Sequence, residues 1–218
     1  MDKITPFKFE EVKDFDKHID LSIPNYQTLN SLFTSITKEF SQPESTVVDL
    51  GCSTGRFLSS LPKVEGCEYI GVDTVSMKRR EGFDFLQCDC EEALIKMKKT
   101  RKVSVIVSMF FLQFLGHSKR KRVLKLIKEL IEMGAVFLVS EKVYLDDTRL
   151  QNLIHRLHMQ NKREGFTDKE ILDKDKQLSI SMFCQTEYEL DEELKTLGKV
   201  NKVWQSYNFM GYVIQKKE

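Results

Sequence analysis

The sequence has no excess of charge of either sign and no apolar run long enough to cross a bilayer. Lys and Arg total 34 against 33 Asp and Glu, which gives a formal net charge of +1. A near-neutral chain has no global attraction for nucleic acid or for an anionic membrane surface. Residues 1–15 are charged and lack the apolar core of a signal peptide. We therefore expect a cytoplasmic protein with no membrane partner.

Cysteine is scarce, and the odd count of five indicates reduced thiols rather than a disulfide framework. Cys88 and Cys90 form a C-x-C pair, but no second pair lies nearby, so ordinary buried thiols are expected. His155 and His158 share one face of a predicted helix without a visible third ligand. We interpret them as surface or interface histidines. The sequence therefore predicts no metal site.

The length and composition favour a single domain over residues 1–218. Hydrophobic residues make up 41% of the chain and charged residues 31%, which is enough apolar material to bury a core in a soluble protein. No internal repeat or low-complexity linker divides the chain. Residues 1–41 are predicted to form a polar arm followed by an amphipathic helix over Tyr26–Phe40.

Short apolar runs then alternate with helical patterns. Five runs predict buried strands, at Thr46–Leu50, Glu68–Val72, Phe83–Gln87, Lys102–Met109 and Ala135–Ser140. Helices are predicted over Arg56–Leu61, Ser118–Glu132 and Thr186–Leu197. This alternation indicates a parallel sheet covered on both faces. Two last strands, Lys199–Trp204 and Phe209–Gln215, are joined by Gln205–Asn208 as a hairpin.

A mostly parallel, seven-stranded sheet that ends in a hairpin is typical of the α/β, Rossmann-like fold of class I methyltransferases, which use S-adenosylmethionine (SAM). Residues 147–182 interrupt the alternation and are predicted to be a helical insertion. Their apolar stripe consists of Leu150, Leu153, Ile154 and Leu157. This stripe predicts a symmetric homodimer, because a twin chain would cover it. The alternative is that the stripe packs on its own sheet.

A glycine loop between the first strand and the next helix is the main candidate for a ligand site. It runs Asp49-Leu50-Gly51-Cys52-Ser53-Thr54-Gly55. Gly51 permits a tight turn, and Gly55 permits close approach of a ligand and of the following helix. The loop is neither G-x-G-x-x-G nor a P-loop. An acid at the strand end suits a ligand with an ammonium group, such as SAM, although a purely structural turn is the alternative.

Further acids end the second and third strands. Asp73 lies 18 residues after Gly55, where a carboxylate accepts hydrogen bonds from both ribose hydroxyls of a nucleoside. The alternative role for Asp73 is a helix N-cap. Asp89 and Cys90 follow the third strand, at the position that meets adenine in this fold. Finding acids at both places favours a SAM site.

The segment after the fourth strand, Ser108–Leu115, limits the reaction classes. It contains no Asn or Asp followed by Pro-Pro, which disfavours methylation of amino groups on DNA bases. It also contains no Pro-Cys nucleophile, which disfavours methylation of cytosine C5. Its aromatic side chains are expected in the core, with Phe110 and Gln113 within reach of the pocket.

Several segments together resemble the carboxy-SAM synthase family, enzymes of bacterial tRNA wobble-uridine modification. The matching segments are Ser22–Tyr26, Asp49–Ser53, Leu112–Leu115, Ser140–Lys142, His158–Gly165, Glu170-Ile171 and Asn208-Phe209. The resemblance implies a homodimer that converts SAM and prephenate into a sulfonium with a carboxymethyl group. A partner enzyme then transfers this group to tRNA, so any link to tRNA is indirect.

The resemblance also implies a set of cofactor contacts. Tyr26 would line the pocket, Gly51 and Ser53 the methionyl end, Asp73 the ribose, and Asp89 with Cys90 the adenine. With the neighbouring positions, the predicted contacts to SAM or S-adenosylhomocysteine are Tyr26, Asp49, Gly51, Cys52, Ser53, Gly55, Asp73, Thr74, Asp89, Cys90, Ser108 and Met109.

Two positions depart from the family pattern. Met109 replaces a pocket Asn, and Asp175 falls where an Arg from the neighbouring subunit pairs with the extra carboxylate. Asp cannot neutralise a carboxylate, and Lys174 or Lys176 would lack the forked geometry of Arg. The segment between Asp73 and Phe83 is also too short for a full helix. The sequence alone therefore predicts tighter binding of SAM than of carboxy-SAM, unless Lys174 supplies the missing cation.

Three functions follow as hypotheses. The first is a SAM-dependent methyltransferase for an unidentified small-molecule acceptor, in which the protein mainly aligns the acceptor and excludes water. The second is carboxy-SAM synthesis from SAM and prephenate, and the third is a non-catalytic SAM-binding module. The candidate catalytic residues are Tyr26 and Glu141.

Overall fold

The computed structural model describes residues 4–75 and 78–217. Its seven strands form one sheet: β1 (Thr46–Leu50), β2 (Glu68–Asp73), β3 (Asp84–Gln87), β4 (Val103–Met109), β5 (Val136–Lys142), β6 (Lys199–Ser206) and β7 (Phe209–Gln215). The strand order is β3-β2-β1-β4-β5-β7-β6. The first five strands are parallel, and β7 inserts antiparallel between β5 and β6. This is the sheet of the class I methyltransferase fold.

Eight α-helices surround the sheet within the described residues. They are α1 (Phe15–Ser22), α2 (Tyr26–Phe40), α3 (Arg56–Ser60), α4 (Cys90–Thr100), α5 (His117–Glu132), α6 (Thr148–Lys162), α7 (Asp168–Ser179) and α8 (Glu187–Lys195). None of these helices is long and apolar enough to cross a membrane.

The sheet is the buried centre of the molecule. Every residue of β1 is buried, as expected for a central parallel strand with helices on both faces. One apolar cluster packs the helices α4, α5 and α8 against one face, and a second packs α2 and α3 against the other. The carboxyl ends of β1, β2 and β4 consequently meet at one edge of the sheet, where ligands bind in open α/β folds.

The structure corrects the interpretation of the first twenty residues as a polar arm. The described part of that segment contains a short 3-10 helix at Phe9–Glu11 and then α1, whose N-cap Asp14 accepts a hydrogen bond from the backbone N–H of Lys17. The sequence pattern misses α1 because its eight residues include few apolar ones. Residues 1–3 of the predicted arm lie outside the described part.

Other differences are smaller. The insertion contains two helices, α6 and α7, rather than one, and α7 begins with a capping box between Thr167 and Glu170. The hairpin turn consists of Tyr207 and Asn208 alone, so β6 is longer than predicted. Between β2 and β3 the described residues form no helix, and residues 76 and 77 of that segment lie outside the description.

Candidate functional site

The glycine loop forms one end of a cavity at the carboxyl edge of the sheet. Its turn is closed by the backbone N–H of Gly51, which donates to the carbonyl oxygen of Val72 at 2.8 Å. Gly51 has φ of +73°, and a Cβ there would lie 2.4 Å from the Phe111 ring. The backbone conformation and the lack of space for a Cβ therefore both favour glycine at this position.

Gly55 serves packing rather than ligand approach. Its φ is also +73°, and a Cβ at this position would lie 2.0 Å from the ring of Phe83. Gly55 does not line the cavity. The close packing predicted at Gly55 is present, but the group that packs against this glycine is the Phe83 ring rather than the following helix.

Two carboxylates stand at the loop end of the cavity. Asp73 accepts hydrogen bonds from the backbone N–H groups of Ser53 and Val75, both at 2.9 Å, so it holds the loop in place. Asp49 is buried beside it. Burial raises the pKa of Asp49 well above its ordinary value, and the nearby charge of Asp73 adds to this effect. A bound cation would relieve the electrostatic cost of the pair, so this end of the cavity suits an ammonium or sulfonium group.

Helix α1 closes the side of the cavity that the sheet leaves open. Asp16 accepts a hydrogen bond from the Thr54 hydroxyl at 2.7 Å and forms an ion pair with Arg80 at 2.6 Å. Asp20 pairs with Arg56 at 2.9 Å. These contacts tie the helix to the glycine loop and to the start of α3.

A second part of the cavity wall is cationic. Lys142, Lys162 and Lys174 all line it, and they come from β5, α6 and α7. Burial and repulsion by the other two lysines lower the pKa of Lys174 to about 7. Burial and repulsion by Lys142 lower the pKa of Lys162 to about 8, against a small opposing effect of Asp175. A cluster of mutually repelling ammonium groups suits an anionic ligand.

The rest of the cavity wall is largely aromatic. The rings that line the cavity are those of Phe7, Phe9, Phe15, Tyr26, Phe57, Phe110, Phe111, Phe114 and Phe209. The guanidinium of Arg56 lies 5.1 Å from the centre of the Tyr26 ring. Burial raises the pKa of Tyr26, so its hydroxyl stays protonated and is a donor rather than a base.

The structure brings together seven of the predicted cofactor residues at the cavity wall. These are Tyr26, Asp49, Gly51, Cys52, Ser53, Asp73 and Met109. Phe110 and Gln113, which the sequence analysis expects within reach of the pocket, also line the cavity. Gln113 accepts a hydrogen bond from the backbone N–H of Lys142 at 2.8 Å, which fixes the end of β5 near the cavity.

Four other predicted contacts lie outside the cavity wall, and their surroundings explain why. Asp89 caps α4 by accepting from the backbone N–H of Glu91 and is paired with Lys119. Cys90 is packed in the apolar core, Ser108 is fully buried within β4, and Thr74 is exposed. The adenine contacts expected at Asp89 and Cys90 therefore remain predictions.

Glu141, a candidate catalytic residue, is engaged in an ion pair away from the cavity. It is 1% exposed, and its two oxygens accept from the two terminal nitrogens of Arg120, each at 2.8 Å. Arg120 is itself buried and pairs with Glu193 at 2.6 Å. Glu141 does not line the cavity, and a carboxylate held this way stabilises the junction of β5, α5 and α8.

His158, expected at the surface or at an interface, is buried within this chain. Only 3% of it is exposed, and its Nε2 lies 2.8 Å from the carbonyl oxygen of Ser22, to which it donates. Burial, with repulsion by Lys162, lowers the pKa of His158 to about 3, so the ring stays neutral. The side chain fastens α6 to the end of α1.

A lysine lines the cavity next to the position where the family pattern has an Arg. Lys174 lines the cavity, whereas Asp175 and Lys176 do not. This is the alternative that the sequence left open, in which Lys174 supplies the missing cation, so the expected preference for SAM over carboxy-SAM stays a prediction. His18 of α1 also lines the cavity. Neither the lysines nor His18 could be identified from the sequence pattern, because a lysine or histidine that faces a cavity has the same spacing as a solvated one. The resemblance did include Lys142 and Lys162.

Comparison with known protein sequences identifies the family. A methyltransferase-domain family matches residues 26–171. The carboxy-S-adenosyl-L-methionine synthase of Hydrogenovibrio crunogenus is 30% identical over 224 residues, covering 96% of this chain and 89% of that protein. The synthase of the same name from Aliivibrio fischeri is 31% identical, with coverages of 96% and 93%.

Solved structures share the fold at lower identity. The plantazolicin methyltransferase BamL, in complex with S-adenosylhomocysteine and a substrate analogue, has a TM-score of 0.56 at 12% identity, covering 87% of this chain and 84% of that one. Human N-acetylserotonin methyltransferase in complex with SAM has a TM-score of 0.53 at 15% identity, covering 88% of this chain and 52% of that one.

Proposed function

Since the chain belongs to the class I methyltransferase superfamily and, within it, to the family of the carboxy-S-adenosyl-L-methionine synthases, we propose that it makes carboxy-SAM from SAM and prephenate. The names of the relatives and the resemblance imply this reaction. The observation that carries the proposal is the cluster of Lys142, Lys162 and Lys174, which line the same cavity as the glycine loop and repel one another. A simple transfer of a methyl group to a neutral acceptor has no use for such a cluster.

The charged groups of the cavity match those of a carboxylated sulfonium, with acids for its cationic groups and lysines for the added carboxylate. The methionyl ammonium and sulfonium would lie toward Asp49, and the ribose hydroxyls would donate to Asp73 in addition to its two backbone donors. The backbone at Gly51 and Ser53 would approach the methionyl part. The added carboxylate would then lie toward Lys174 and its two neighbours.

The residues between the two ends would control water and orientation. SAM supplies a sulfonium that makes its methyl carbon reactive when it is bound. The aromatic walls exclude water from that carbon and strengthen the electrostatic effect of the lysines. Tyr26 is protonated and partly buried. Its hydroxyl would donate a hydrogen bond to SAM or to the added carboxylate rather than remove a proton.

The second candidate is methyl transfer to an anionic small molecule. Met109 favours it, because a polar pocket residue of the resembled family is replaced there by an apolar side chain that lines the cavity. In that case the lysine cluster would hold the acceptor rather than a carboxylated cofactor.

One assay separates the candidates. Purified protein is incubated with SAM, with and without prephenate, and the products are read by mass spectrometry. The proposal requires a carboxylated sulfonium that forms only when both substrates are present. S-adenosylhomocysteine formed with a small-molecule pool, without carboxy-SAM, would instead support the second candidate. No product with prephenate, small-molecule or tRNA pools would favour a non-catalytic SAM-binding module.

The preference for a carboxylated ligand is expected to depend on pH. The pKa values of about 7 at Lys174 and about 8 at Lys162 mean that both ammonium groups are charged at pH 6 and largely neutral at pH 9. His18 and His158, with pKa values lowered by burial to about 4 and about 3, stay neutral throughout this range. The ratio of the two dissociation constants, Kd for SAM over Kd for carboxy-SAM, should therefore fall as pH rises from 6 to 9. A ratio that stays constant would show that these lysines do not sense the carboxylate.

We further propose that the protein is a homodimer through α6. Leu150, Leu153 and Leu157 remain 46%, 43% and 38% exposed, an apolar stripe that a second copy would cover. Sedimentation at micromolar concentration should give twice the chain mass of 25.5 kDa. Leu153→Glu should shift the protein toward the monomer, whereas Ile95→Glu, at an apolar side chain exposed on α4, should not. A wild-type monomer would contradict the proposal.

A product of this kind fits an indirect role in tRNA modification. The resemblance implies that a separate enzyme transfers the carboxymethyl group to tRNA. The net charge of +1 is consistent with a protein that makes the reagent without binding the nucleic acid itself.

A further inference from the structure

We propose that His18 is a positioning residue for the lysine cluster. Its neutral imidazole accepts a hydrogen bond from Lys174 and directs the ammonium into the cavity without cancelling its charge. This inference rests on the proposed function, because it requires that Lys174 bind the ligand's carboxylate. His18 lies on α1, far along the chain from α7, and no feature of the spacing singles it out.

The contacts of Lys174 define the role. Its ammonium donates to Nε2 of His18 and, at 2.9 Å, to the hydroxyl oxygen of Ser22. A lysine ammonium has three N–H donors, so two are used by the protein and one is left for a ligand. Within the described residues Lys174 forms no ion pair, so both of its acceptors are neutral.

The ring of His18 is held in one orientation. It stacks on Phe7 with ring centres 5.7 Å apart and meets the edge of Phe166 at 5.2 Å. Leu21, on the same helix, presses on Gly165, where a Cβ would lie only 2.4 Å from its side chain. Helix α1 is therefore fixed against the loop between α6 and α7, and this fixes the acceptor that Lys174 meets.

Neutrality is the essential property of this acceptor. Burial, together with repulsion by Lys174 and Lys162, lowers the pKa of His18 to about 4, so the ring is neutral. The ammonium of Lys174 can only donate, so the tautomer that fits this contact has its proton on Nδ1 and accepts at Nε2. A carboxylate in its place would form a buried ion pair with Lys174 and remove most of the attraction for a ligand anion. A neutral acceptor positions the ammonium and leaves its field directed at the ligand.

The test uses three substitutions that separate acceptor, charge and packing. His18→Gln keeps a neutral acceptor, His18→Ala removes it, and His18→Glu adds a negative charge. The dissociation constants for SAM and for carboxy-SAM are measured for each variant and for the wild type. His155→Ala, at a histidine on α6 that does not line the cavity, is the matched control.

The expected results follow from the size of one hydrogen bond. His18→Ala should reduce the preference for carboxy-SAM over SAM about fivefold, because the ammonium of Lys174 loses one of its two positioning acceptors and keeps the Ser22 hydroxyl. His18→Gln should restore it to within about twofold, and His18→Glu should remove it. Affinity for SAM itself should change little in all three variants and in His155→Ala.

The outcomes distinguish this inference from the proposed function. A wild type that shows no preference for carboxy-SAM contradicts the proposed function. A wild type with the preference, and a His18→Glu variant that keeps it, overturns the inference alone. A His18→Gln variant as poor as His18→Ala also overturns it, since the residue would then act only by packing. If His18→Ala fails to fold, the comparison of His18→Gln with His18→Glu still decides.

Discussion

Replacing Lys174 with alanine is expected to weaken binding of carboxy-SAM by about 10-fold to 100-fold, which corresponds to the loss of one charge-assisted hydrogen bond of about 1.5–3 kcal/mol. Binding of plain SAM should change by less than about twofold, because SAM has no carboxylate at this end of the cavity. Both dissociation constants can be measured by competitive calorimetry. The neutral methyl group left by the substitution offers no partner for the ligand's charge.

The neighbouring residues of α7 provide controls for this effect. Lys176→Ala removes the same charge from a side chain that is exposed and does not line the cavity, so it should leave both constants unchanged. Asp175→Arg, which restores the residue type of the resembled family, should also have little effect in this geometry. If Asp175→Arg raises the affinity for carboxy-SAM while Lys174→Ala leaves it unchanged, the carboxylate is bound at position 175 and our account of the cluster is wrong.

Replacing Asp73 with alanine is expected to lower the affinity for SAM by at least about 100-fold. Two hydrogen bonds from the ribose hydroxyls to a carboxylate contribute roughly 1.5–3 kcal/mol each. The same substitution also leaves the backbone N–H groups of Ser53 and Val75 without their acceptor, which loosens the loop. Calorimetry of SAM binding to a variant shown to be folded by circular dichroism measures the effect.

Two further variants separate these contributions. Asp73→Asn keeps one acceptor oxygen and loses the charge, so its affinity for SAM should lie between those of the wild type and the alanine variant. Asp84→Ala, an exposed acid on β3 next to β2, should bind SAM normally. Equal affinity of wild type and Asp73→Ala for SAM would show that the cofactor does not bind at this loop.

The sheet could be predicted from the sequence because each strand carries its own signal. The five residues Thr46–Leu50 form a continuous apolar run apart from one acid, and all five are buried in β1. The glycine loop follows directly, so the acidic end of the cavity could be predicted with it. Asp49 and Asp73 lie at the ends of neighbouring strands, where the parallel register between Asp49 and Gly71 brings them together.

The cationic end could not be predicted in the same way. Lys142, Lys162 and Lys174 come from three elements that are distant in the sequence, and each lies in a charged segment that looks solvated. Their burial depends on how α6 and α7 pack against α1, which is a tertiary property. The same limit applies to Glu141, whose partner Arg120 lies on α5 and is distant in the sequence.

The missed helix α1 has a related cause. Its apolar side chains are Phe15, Ile19 and Leu21, and only Phe15 and Ile19 share one face, so they give a weak periodic signal. Phe15 and Ile19 are half-buried and line the cavity, and Ile19 also packs against the second apolar cluster. A short helix of this kind becomes recognisable only when its partner surface is present.

A crystal structure of the protein with carboxy-SAM bound tests the central claim most directly, because the claim concerns where the two charged ends of one ligand lie. Our account predicts that the ribose hydroxyls contact the carboxylate of Asp73 and that a carboxylate oxygen of the ligand lies within about 3.2 Å of Nζ of Lys174. A ligand whose carboxylate points away from Lys142, Lys162 and Lys174, with its adenosine still at the glycine loop, would contradict the account.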